Sequence, residues 1–187
     1  ANAVLLNFLV FASFGLDGFA HAAEAMVGRY VGRGDAPAFR AATRANMLLA
    51  VVLAALLALA FAAGGRAAID LMTGLAEVRA TAFEHLPYIV ALPLVAMFAY
   101  LYDGVFIGAT RTAEMRNGMA VALVAFLVSL ALLMPPLGNH GLWLAMIVFM
   151  AARGIWLAFC YLRIDRGAGF VARPDQLPAL APSQAGR

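Results

Sequence analysis

The chain has 187 residues, of which 65% are apolar and 12% charged, whereas soluble domains are about one-half apolar and one-quarter charged; an ordinary soluble globular fold is excluded. A single cysteine cannot form an internal disulfide, and three scattered histidines lack any zinc-module spacing. The net charge of +3 rests on 13 basic side chains, all of them arginine, which flank apolar runs and do not gather into one patch with interleaved aromatics, so no nucleic-acid partner is expected.

Five stretches reach the roughly 20 apolar residues that a membrane crossing needs: Ala3 to Val27, Ala45 to Gly65, Leu86 to Thr110, Gly118 to Pro136 and Leu142 to Leu162. Span one carries Asp17, His21 and Glu24 at spacings of four and three, which set all three on one helical face with Gly28 continuing the stripe. Ionisable groups inside spans face a bundle interior or an aqueous cavity and mark ion or substrate paths. The stripe is therefore predicted to look toward a cavity or the bundle interior. The competing readings are an interfacial position for Glu24 and a metal site built from the trio, which lacks a fourth ligand.

Gly28 and Gly32 form a small-xxx-small pair suited to close helix packing. Gly34 then ends the helix, and Asp35 with Pro37 begins the next as cap and early proline. Span two is the purest, since Met47 to Ala63 holds only Met, Leu, Ala, Val and Phe. Pro87 and Pro93 predict a kink in the outer half of span three, and Tyr100 and Asp103 are neighbours further along it. Span five contains Arg153 near its middle. At the helical rise, Arg153 lies about 16 Å from the outer membrane face, Asp17 about 20 Å and Asp103 about 25 Å. A buried partner is expected for an arginine at that depth, with Asp17 ranked first, Asp103 second and backbone carbonyls third.

The segments joining the spans show an arginine asymmetry. Arg29, Arg33, Arg40, Arg44, Arg111, Arg116, Arg163, Arg166, Arg173 and Arg187 fall on one side, against Arg66 and Arg79 on the other. By the positive-inside rule the first side is cytoplasmic, and so is the C-terminus. Ala1 would then lie outside with no basic leader before it, which predicts that further spans precede it in a longer protein. The whole reads as an all-α membrane protein with five transmembrane helices: residues 1–163 form the bundle, and residues 164–187, with Pro174, Pro178 and Pro182, form a disordered cytoplasmic tail.

The runs LDGFAHAAEAMVGRYVGRGD from Leu16, FRAATRAN from Phe39, LYDGVFIGATRTAEMRN from Leu101 and LGNHGLWLAMIVFMAARG from Leu137 resemble the C-terminal half of multidrug and toxic compound extrusion (MATE) transporters, in the branch called DinF. The resemblance reaches to about Arg163. It implies a partial C-terminal lobe of a twelve-helix transporter, lacking that lobe's first helix and completed by an N-terminal lobe. It further implies proton- or sodium-coupled export of amphipathic or cationic compounds across the bacterial inner membrane, with membrane lipid around it and no cofactor. Asp17, His21, Glu24, Tyr100, Asp103 and Arg153 are the candidates for transport path or coupling. Two other classes remain open from the residues: a flippase for lipid-linked oligosaccharides, which should carry several basic residues inside its spans, and an intramembrane metal enzyme built on Asp17, His21 and Glu24.

Overall fold

The computed structural model describes residues 1–166 and 169–171. It contains five helices: α1 (Asn2–Gly32), α2 (Ala36–Met72), α3 (Ala76–Gly108), α4 (Thr112–Leu137) and α5 (Asn139–Arg166). All five are long and apolar enough to cross a membrane, and among the described residues there is no strand. Each predicted span lies on one of them, but four are embedded in helices that run past both predicted ends, and α3 begins ten residues before its span and stops at Gly108. An apolar-window test sees the part of a helix inside hydrocarbon. It is blind to turns that continue into the headgroup zone with Arg, Glu and Asp on them.

The first turn forms as its residues dictate. Gly34 adopts φ 72°, a left-handed conformation that glycine takes without steric cost. Asp35 caps α2 by accepting from Ala38 N at 2.9 Å, and proline stands in the first turn. The helix α3 runs through Pro87 and Pro93 as one element. A single residue, Gly138, separates α4 from α5.

The centre of the bundle is α3, packed against α1, α2 and α5, while α4 rests on α5 and barely touches α3. One apolar cluster fills one half of the bundle, with Leu5, Phe8, Phe61, Ile69, Ile89 and Trp143. A second fills the arginine-rich half, with Val27, Phe39, Val105, Phe106 and Leu157. Leucines such as Leu48, Leu59 and Leu132 stand exposed, as they can where the surrounding solvent is lipid, so that packing between helices depends on small residues.

The closest packing is between α1 and α3, and its residues correct the sequence reading. A Cβ at Gly104 would stand 2.1 Å from Ala20 O, and one at Gly108 would stand 2.5 Å from Glu24 O. Gly28 takes part from the other side, with Gly108 O 3.4 Å from where its Cβ would be. Gly32 has nothing within 4 Å and is exposed, so it is not a packing glycine. The small-xxx-small pair that closes this seam is Gly104 and Gly108 on α3.

The expected disordered tail falls mainly on residues 167–168 and 172–187, which lie outside the described residues. Within the described part the picture differs. Ile164, Asp165 and Arg166 still belong to α5, and Phe170 and Val171 are buried. Phe170 stacks on Phe39 at 5.0 Å between ring centroids, beneath the Arg111 guanidinium. An aromatic residue after a helix end can fold back onto an apolar cluster, which the proline content of the tail does not reveal.

Candidate functional site

The buried face of α1 is Leu5, Phe8, Ala12, Leu16, Ala20, Ala23 and Val27. Asp17, His21 and Glu24 each follow a member of that stripe by one residue, so they stand about 100° round the helix from it. They are not directed into the five-helix bundle. Asp17 is half-buried, His21 and Glu24 face outward, and His21 Nδ1 lies 3.4 Å from Glu24 Oε2. Among the described residues no three His, Cys, Asp or Glu side chains are placed to hold one metal ion.

The depth of this stripe is notable on physical grounds. The 31 residues of α1 span about 46 Å at the helical rise, against a hydrocarbon core of about 30 Å. Asp17 is at the middle of that length. Glu24, eight residues from the end of α1, is about 12 Å inside it. Asp17, at the middle of α1, is where contact with lipid tails is costly and contact with water or protein is not; Glu24 stands nearer the arginine-rich end.

Behind the stripe is an ion pair. Arg153 Nη2 donates to Asp103 Oδ2 at 2.5 Å, and both side chains are mostly buried. Asp103 is the partner of Arg153, not Asp17 as ranked from depth. The reason is lateral. Depth along a helix axis says nothing about which helices are neighbours, and α3 stands between α1 and α5. At Gly154 the α5 backbone comes so close to α3 that an added Cβ would meet Phe98 Cβ at 3.1 Å, which brings Arg153 within reach of Asp103. The pair is monodentate: among the described residues, Asp103 Oδ1 and Arg153 Nε are buried without partners. It thus keeps one free acceptor and one free donor at mid-membrane.

Tyr100 turns to α1, where its hydroxyl lies 2.8 Å from Ser13 Oγ. Ser13 was not singled out in the sequence, nor were Gly104 and Gly108. The glycine pair had a legible signal, a G-x-x-x-G spacing inside an apolar span; Ser13 had none. The lone in-span arginine, which a flippase would turn toward anionic head groups, is already held by a carboxylate.

Five long apolar helices with carboxylates and an arginine between them are those of a multi-pass helical membrane protein. No protein-family model matches the chain, and no solved structure matches it. It is 43% identical over 171 residues to DNA damage-inducible protein F of Escherichia coli strain K12, a match that takes in 91% of this chain and 37% of that protein. The chain thus spans a little over a third of that relative's length, and over nine-tenths of its own it matches the DinF branch of the MATE family.

Proposed function

We propose that this chain forms part of a proton- or sodium-coupled antiporter that exports amphipathic or cationic compounds across the bacterial inner membrane, its C-terminus cytoplasmic and its N-terminal lobe supplied by the rest of a longer protein. The observation that carries this reading is the stripe of Asp17, His21 and Glu24 turned away from the five-helix bundle, with Asp17 at the middle of α1, a place that an aqueous cavity or a facing lobe accommodates. In that arrangement Asp17 meets the coupling ion from the cavity. Asp103, with its free Oδ1, is the second carboxylate behind it, and Arg153 is the fixed cation against which an entering proton or sodium competes. Such competition gives the two states that alternating access requires, since a bound cation changes which contacts Asp103 makes.

Ethidium loss from cells carrying the complete gene tests the proposal. Faster loss than in vector controls is expected, abolished by Asp17→Asn or Asp103→Asn when the rate is scaled to the amount of each protein in the membrane. Loss at the vector rate with the wild-type protein in the membrane would overturn the transport reading. Full activity in both variants would remove these carboxylates from the coupling path.

A further inference from the structure

At the end of the bundle opposite the arginine-rich turns, four titratable side chains meet from α3 and α5: Glu84, His85, Tyr88 and His140. His85 is only 3% exposed, and its Nδ1 lies 2.8 Å from Thr81 O. A carbonyl oxygen can only accept, so Nδ1 carries the hydrogen and Nε2 is left as a lone pair. That Nε2 is buried without a partner among the described residues. The ring stacks on His140, with centroids 4.3 Å apart and planes 20° from parallel. His140 in turn lies between Glu84 Oε1, 3.0 Å from Nε2, and the Tyr88 hydroxyl, 3.1 Å from Nδ1.

This geometry accommodates one proton well and two badly. With none bound, His140 donates from Nε2 to the Glu84 carboxylate and accepts from Tyr88 at Nδ1. A first proton goes to His140 Nδ1, which then donates to the phenol oxygen as the Tyr88 hydrogen turns away; the imidazolium faces the carboxylate and stacks on a neutral ring. On the two rings, a second proton can enter only at His85 Nε2. It finds no acceptor there, and it sets two cations face to face with nothing between them.

The surroundings do not relieve this. On α2, Arg66 lies over the neighbouring Phe83 ring at 5.2 Å, and Asp70 is bonded to Arg79 at 3.1 Å. On α1, Ala1 packs against the same apolar cluster, and Asn2 is engaged by Asn139 and Trp143. On α4, the residues at this end include Pro135 and Pro136, which do not titrate. We propose that the stacked His85 and His140 form a proton-binding site that holds the ends of α3 and α5 together with no proton or one, and releases them when both imidazoles are charged.

Hydrogen–deuterium exchange of the full-length protein in lipid nanodiscs, followed from about pH 8 to about pH 5 across the histidine range and corrected for intrinsic exchange, tests this without passing through transport. Peptides covering residues 81–90 and 138–146 are expected to keep their protection through the first proton. They then lose it about tenfold, the equivalent of one pH unit of coupling between the rings. His85→Gln and His140→Gln should each abolish the loss. Glu84→Gln changes an exposed residue and leaves the packing intact; it should move the loss to lower pH. A wild-type protein whose protection ignores pH, or an equal loss in both histidine variants, overturns the proposal. An unmoved loss in Glu84→Gln overturns it even where a histidine variant fails to fold.

Discussion

Arg153→Leu leaves Asp103 buried beside an apolar side chain, and Asp103→Asn leaves the Arg153 guanidinium without a counter-charge. Breaking a buried pair from either side costs about 3 to 5 kcal/mol, so each single variant should lower the unfolding free energy of the full-length protein by about that amount. The double variant should recover part of it. Strict additivity in reversible unfolding would show that the contact between Arg153 and Asp103 contributes nothing as a pair. Tyr100→Phe removes a single hydroxyl contact to Ser13, and hydrogen bonds between membrane helices average about 0.6 kcal/mol, so its effect in the same measurement should be several times smaller. That Arg153 needs a buried partner was legible in the sequence from its place in mid-span. Which carboxylate was not legible, because Asp17 and Asp103 differ mainly in which side of the bundle they occupy, and a linear sequence carries no such coordinate.

At the scale of elements, the α1 and α3 seam depends on the absence of two side chains. A methyl group at Gly104 or Gly108 would collide with backbone carbonyls of Ala20 or Glu24, which cannot swing aside as a side chain can. Overpacking typically costs about 1 to 3 kcal/mol. Gly104→Ala and Gly108→Ala should fall at the upper end of that range, and Gly32→Ala, in open space, should be neutral or slightly stabilising because alanine favours the helix. Thermal melts of the three variants check this; a destabilised Gly32→Ala with an unaffected Gly104→Ala would place the seam elsewhere. The five spans themselves were legible because hydrocarbon thickness sets the length of apolar chain that a crossing needs. Their ends were not, since Arg40, Glu77 and Arg166 lie on helices as readily as on loops. The turn at Gly34, Asp35 and Pro37 was legible because each residue there has one dominant backbone role.

For the molecule as a whole, exposure has two meanings, toward lipid and toward water, and the stripe on α1 distinguishes them. Cysteine at position 21 or 24 in the full-length protein should react with a small membrane-impermeant thiol reagent. Cysteine in place of the buried Ala23, or of Leu48 and Leu59 on the exposed apolar face of α2, should not. Equal reaction at all five positions would show that the outward face of α1 is no different from the lipid-facing surface. The fold class and the ionisable stripe were both readable from the chain, but the direction of the stripe was not, because a helical face is defined only relative to neighbours. The junction at Gly138 bears on how such a molecule is made. With one uncharged residue between α4 and α5, and with Gly141 so near that an added Cβ would stand 2.4 Å from Leu133 O, the ribosome delivers two spans with no polar loop to translocate between them. Two spans so joined are expected to enter the bilayer as a single hairpin, and because α4 packs on α5 and hardly elsewhere, the expected order is that α1, α2 and α3 assemble first and the hairpin then brings Arg153 beside Asp103.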